Sequence, residues 1–373
     1  MTCMTLTKIE SALLSAVRTA LSGQPFEHEL FSLLSTDDWT ALQRLSAQQG
    51  LQAVVYDALN DGAGGEPAGL DIPQPVAIRW MLGADSVERN YARQIEVGKS
   101  IAEIFSEQSM PALVLKGLAV GTFYPHPEHR ECGDIDLYSG EAHSRVDSLM
   151  AAHGAQVKED YYVHSHILYR GVTVENHRFF NPVRGNRERK ALERHFRELM
   201  KGEMTYVPGT KLLVPPADFN ALFLTMHAMK HFVYEGIKLR HVSDWAMFLK
   251  AEQGNVDWKL FFCWTDRMHF TKFANAMTFI ATHHLGLELY VPELLSAITL
   301  PSVPNDAAMI LEDILRTDNS VNNKGYSLWR TRLELVRNAF NSLWKYHRIC
   351  HRSALVELSK SALGMLFDRT PSV

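Results

Sequence analysis

Residues 115–138, LKGLAVGTFYPHPEHRECGDIDLY, decide how this chain is read. Asp134 and Asp136 stand either side of one isoleucine, in a run that alternates acid and apolar residues with the period of a β-strand. On a strand, residues i and i+2 point to one face with Cα atoms about 6.5–7 Å apart. The two carboxylates therefore share a face, while Ile135 and Leu137 turn to the core. At ~4 Å and an effective dielectric of about 20, such a pair repels by on the order of 4 kcal/mol. A divalent cation removes that cost.

A third acid follows in GVTVENH, where Thr173, Glu175 and His177 share the face opposite Val172 and Val174. Three carboxylates on neighbouring strands form the oxygen-rich set that Mg²⁺ or Mn²⁺ prefers, usually together with substrate phosphates. In that arrangement Glu175 is either a metal ligand or a general base. The bland alternative is a strand end capped by acids. Upstream, Lys116-Gly117 closes an apolar strand and opens a helix. Glycine lets a phosphate approach the backbone there, and the helix N-terminus and Lys116 add positive potential. Arg130, four residues before Asp134, is a planar cation within reach of the same phosphates.

Outward from this stretch the pattern predicts a small α/β unit in a largely helical chain. The strand ALVL at 112–115, a short helix over 117–124, the strand DIDLY, a helix stopped by Gly154, and two strands joined near Arg170-Gly171 form the unit. Before it, apolar residues at three- and four-residue spacing predict helices, the longest over 76–108, with a Gly/Pro-rich loop at 60–75. After Pro182, helices return to the end, with a loop at 318–325. The expected fold is α+β: a helical N-terminal region at 1–108, a mixed-sheet core at 109–182 and a helical C-terminal domain at 183–373.

Composition limits the function. Of the 373 residues, 46% are apolar and 21% charged, and the net charge of −4 is not that of a dedicated nucleic-acid binder. The segment 183–201 carries seven Lys/Arg against three Glu, suited to an anionic acceptor such as RNA, though a solvated helix is the plainer reading. Four scattered cysteines, the lack of a long apolar run and the start MTCMTLTKIESALLSAV predict a cytoplasmic protein. His227 and His231, at i and i+4, have zinc-compatible spacing but lack the glutamate of a protease motif; cleft or core histidines are expected.

The pattern Lys116-Gly117, Tyr124-Pro125, Arg130, Gly133 to Asp136 and Glu175-Asn176-His177 resembles an uncharacterised bacterial nucleotidyltransferase family of the DNA polymerase beta-like superfamily. The wider superfamily has Gly-Ser and a shorter gap; here Leu118 follows Gly117, and 16 residues separate Gly117 from Asp134. The resemblance implies NTP-dependent transfer of a nucleoside monophosphate, with Mg²⁺ held by Asp134, Asp136 and Glu175. It also implies that His231 and Arg240, on the C-terminal helices, face the nucleotide cleft, with Asp244 a possible partner for Arg240. The acceptor stays open between a small-molecule hydroxyl, a protein side chain and an RNA end. The alternatives are a catalytically silent nucleotide-binding or regulatory module and a toxin-type transferase.

Overall fold

The computed structural model describes residues 5–61, 69–158, 162–183, 187–316 and 343–350. The chain opens with helices α1 (Lys8–Ser22), α2 (His28–Ser32), α3 (Thr36–Gln48), α4 (Gln52–Asp61) and the long α5 (Gln74–Glu107). The core follows as β1 (Ala112–Val114), α6 (Leu118–Gly121), β2 (Ile135–Tyr138), α7 (His143–Ala152), β3 (Gln156–Lys158), β4 (His164–Tyr169) and β5 (Val172–His177). Then come α8 (Arg187–Leu199), β6 (Thr205–Tyr206), β7 (Leu212–Val214), α9 (Ala217–Tyr234), α10 (Leu239–Glu252), α11 (Trp258–Arg267), α12 (Thr271–Leu285), α13 (Pro292–Ile298) and α14 (Val303–Arg316). The loop expected at 318–325, most of the helix expected from residue 328 and the C-terminal tail lie outside the described residues.

Local signals start these helices where the sequence places them. Thr7 and Glu10 form a capping box on α1, and Ser35 and Asp38 form another on α3. Gly154 takes φ +85° just past α7, a conformation that favours glycine. The helix expected over 117–124 shrinks to the single turn of α6, because the chain must turn back through Pro125 and Pro127 toward β2.

The architecture is α+β, with one mixed sheet between helical regions. Strand order is β3-β4-β5-β2-β1-β7-β6; β2–β5 and β1–β7 are parallel pairs, and the other neighbours are antiparallel. The sheet thus reaches past residue 182, where the sequence reading ends the core. The two added strands, of two and three residues, are too short to show a period.

Strand parity sorts the two faces. Val114, Ile135, Leu137, Ile167 and Val174 pack with Val97, Ile101 and Phe105 of α5 and with Val146 and Met150 of α7 in one apolar core. The opposite face carries Asp136, Glu175, His177, His164 and His166. A second, larger core joins α1, α4, α9, α10, α12 and α14.

Two ionic joints tie these regions together. The Arg130 guanidinium meets Asp244 of α10 through two bonds, Nε to Oδ1 at 3.0 Å and Nη2 to Oδ2 at 2.8 Å, and Tyr124 donates to the same carboxylate at 2.8 Å. All three side chains are buried. His129, in the turn Pro127–His129, sits 2.7 Å from Asp57 of α4 and 2.9 Å from Glu88 of α5. Burial disfavours its charge, yet the two acids win and raise its pKa to about 9.

Asp244→Ala strands a buried guanidinium and is expected to cost about 3–5 kcal/mol. The pair Arg130→Met with Asp244→Leu should cost less, because it leaves no lone charge; denaturant midpoints of both variants check this. Because the folded pKa of His129 lies above the unfolded one, its contribution is full below about 6.5 and is lost as pH rises through about 9. Thermal midpoints across that window should fall more steeply for wild type than for His129→Gln.

Candidate active site

The acids stand where the sheet's polar face meets α9 and α10. Parallel pairing sets Asp136 of β2 level with Glu175 of β5, and one carboxylate oxygen from each of Asp134, Asp136 and Glu175 falls within 4.8 Å of the others. The residues expected to act together do come together. The donor set is all oxygen, the chemistry that suits Mg²⁺ or Mn²⁺.

The loop before β2 is held on three sides, which aims Asp134. Asn90 and Gln94 of α5 donate to the Cys132 carbonyl at 2.7 and 3.1 Å. Arg130 and Arg240 both donate to the Glu131 carbonyl, at 3.2 and 2.9 Å. Cys132 Sγ lies 3.0 Å from the Asp134 carbonyl. Gly117, at φ +48°, lets β1 turn under this loop: a Cβ there would meet Cys132 Sγ at 2.6 Å. Gly117 thus serves close packing under the loop, and the helix it opens, α6, is a single turn long.

Cations already answer part of the negative charge. Lys116 Nζ is 2.8 Å from Asp136 Oδ1, and His177 Nε2 is 3.0 Å from the same oxygen and 3.2 Å from Glu175 Oε2. Burial works against ionised Asp136, but Lys116 and His177 hold its pKa below the usual range. Burial is the largest influence on Glu175 and opposes its ionised form, but the His177 hydrogen bond together with the charges of His164 and Lys116 brings it below the ordinary carboxylate value. Asp134 is different: burial, then the Asp136 charge, push it up to about 6. Its excess negative charge is what a bound cation would relieve, so the trio fits a divalent metal.

The remaining expected residues divide. Lys116, Gly117, Arg130, Arg240, Asp134 and Asp136 all line one cleft with Thr225, His227, His241 and Asp244. Arg130 reaches the cleft wall, but its guanidinium is engaged on Asp244, and it joins the core to α10. The partner expected for Asp244 was Arg240; Asp244 pairs with Arg130 instead. Arg240 turns toward Gly50 and the Glu131 carbonyl. His231 is corrected: it is not among the residues lining this cleft; its ring packs 4.4 Å from that of His227 between centroids and its Nδ1 is 2.8 Å from Glu235, while His227 and His241 take the wall. Burial lowers the pKa of both, that of His241 to about 3, so both imidazoles are neutral. His164 and His166, beside Glu175, were read only as strand residues, although their i, i+2 spacing is the signal that revealed the acids.

In the described residues no single helix is long and apolar enough to cross a membrane. No curated protein and no solved structure matches the chain. A family model described as an uncharacterised nucleotidyltransferase matches residues 35–286, which is more than half of the chain and includes all three acids and the helices that face them. The chain belongs to this uncharacterised nucleotidyltransferase family.

Proposed function

We propose that the protein transfers a nucleoside monophosphate from an NTP to an acceptor hydroxyl, with release of pyrophosphate. The observation that carries this reading is the convergence of Asp134, Asp136 and Glu175 on one point of the sheet's polar face. These three would hold Mg²⁺ or Mn²⁺. Bound there, such ions would supply charge stabilisation at the α-phosphate and would activate the attacking oxygen.

The protein's own groups prepare the site. Lys116 and His177 keep Asp136 ionised, so its carboxylate is ready to ligate without first losing a proton. Glu175 also sits below the ordinary carboxylate range, whereas an efficient base has a pKa near the working pH. That favours a ligand role for Glu175 over a base role. The carbonyls of Glu131 and Cys132 are fixed by Arg130, Arg240, Asn90 and Gln94, so the acids are positioned before substrate arrives. Such preorganisation is the largest usual source of rate in phosphate chemistry. The neutral walls at His227 and His241 offer hydrogen-bonding edges rather than charge to the nucleotide. A silent module is the weaker reading, because Glu175 faces Asp136 rather than turning away.

Calorimetry of each NTP with and without Mg²⁺ tests the reading. Wild type should bind at least one NTP in a metal-dependent manner, and Asp134→Ala with Asp136→Ala should weaken that binding at least about a hundredfold, the loss expected when both metal-anchoring carboxylates go. Failure of folded wild type to bind any NTP in Mg²⁺ would reject the transferase reading.

A further inference from the structure

Beside the carboxylate trio, the β4–β5 hairpin gathers a second and chemically different set of ligands. His164 and His166 lie at i and i+2 on β4, and Glu175 and His177 do the same on β5. The antiparallel register sets His164 opposite His177 and His166 opposite Glu175. With a period of two, all four side chains share one face, and directly opposed Cβ atoms are about 4.5–5.5 Å apart. His164 Nε2 is 3.8 Å and His166 Nε2 is 3.5 Å from Glu175 Oε1, while His177 Nε2 is 3.2 Å from Oε2. The rings of His164 and His177 are 5.0 Å apart between centroids.

Ligand atoms of His164, Glu175 and His177 all lie within 4.8 Å of one another. A tetrahedral ion with bonds of about 2.0–2.2 Å holds its ligand atoms roughly 3.3–3.6 Å apart, so small side-chain rotations close this set around one ion. Two imidazoles and a carboxylate with a position left over form the donor set of borderline transition ions. Mg²⁺ favours oxygen and dehydrates reluctantly, so it has no reason to choose this corner.

We propose that His164, Glu175 and His177 form a second metal site, for a nitrogen-preferring divalent ion such as Zn²⁺, with His166 at its rim. The site shares Glu175 with the carboxylate trio but requires neither nucleotide nor acceptor, so it stands independently of the transfer reaction. For an ion to bind there, His177 Nε2 gives up to solvent the proton it shares with Asp136 and Glu175, and the lone pair so exposed ligates the ion. Occupancy therefore alters the counter-charge on Asp136, which links the two sites.

The test uses the full chain stripped of metal, without nucleotide. Zn²⁺ is titrated in competition with a chromophoric chelator, and Co²⁺ is followed by its visible d–d absorption. The expected result is one ion per chain, with d–d bands showing nitrogen ligation. Affinity should fall at least about tenfold in His164→Gln, and Asp134→Asn should leave both readouts unchanged. The double variant His164→Gln, His166→Gln removes any substitution of one imidazole for the other, and circular dichroism establishes that each variant is folded. The proposal is overturned if wild type takes up no ion, if the double variant binds Zn²⁺ as wild type does, or if Asp134→Asn abolishes binding that the double variant retains. Loss of Mg²⁺-dependent NTP binding would count against the transferase reading alone, since no nucleotide enters this experiment.

Discussion

The buried carboxylate of Asp244 is the constraint on which the cleft depends. It receives two hydrogen bonds from Arg130 and one from Tyr124, and so locks the loop leading into β2 onto α10. Burial disfavours its charge, but Arg130 holds its pKa below the normal carboxylate range, so the joint is a true ion pair. Ion pairs of this kind bring little net stability over apolar packing, yet they are costly to break and demanding in geometry. Their service here is register: sheet and C-terminal helices meet in one arrangement, and the cleft lies along that seam.

From this joint the site's charge balance follows. Six ionisable groups, Asp134, Asp136, Glu175, Lys116, His177 and His164, sit close together and largely out of water. Lys116 and His177 converge on one oxygen of Asp136 and leave Asp134 without an equal partner. That asymmetry explains why one aspartate is held low and its neighbour is raised to about 6. A surface built only for stability would distribute the countercharge more evenly. The uneven balance fits a place that a divalent cation completes.

Much of this was legible in the sequence, for reasons that are local. The i, i+2 rule put Asp134 and Asp136 on one face, and Glu175 on the matching face of its own strand, before any strand was paired. The long helix before Pro111 was readable because no proline interrupts it and its apolar stripe persists. The hairpin at Arg170-Gly171 was readable because alternation stops there, and both residues take positive φ. Short elements escaped the same logic. β3, β6 and β7 contain too few residues to express a period, so the sheet gained edges that no pattern announced.

Roles that depend on a distant partner were not legible. Arg130 looked like a phosphate ligand because a loop arginine near two acids suits that task, and the carboxylate that pins it is none of the four within ten residues, Glu128, Glu131, Asp134 and Asp136. Asp244 lies 114 positions away, and only the packing of α10 on the core brings it to Arg130 rather than to Arg240. His231 and His227 share a helix face, and only the packing around the cleft separates the one that lines its wall from the one that does not. By itself, then, the sequence determined which side chains share a strand or helix face, since that depends on backbone periodicity alone. Tertiary structure decided which of those faces meet, and thereby which charges are neutralised and which remain for a ligand, because a buried charge takes its partner from whatever element is packed against it.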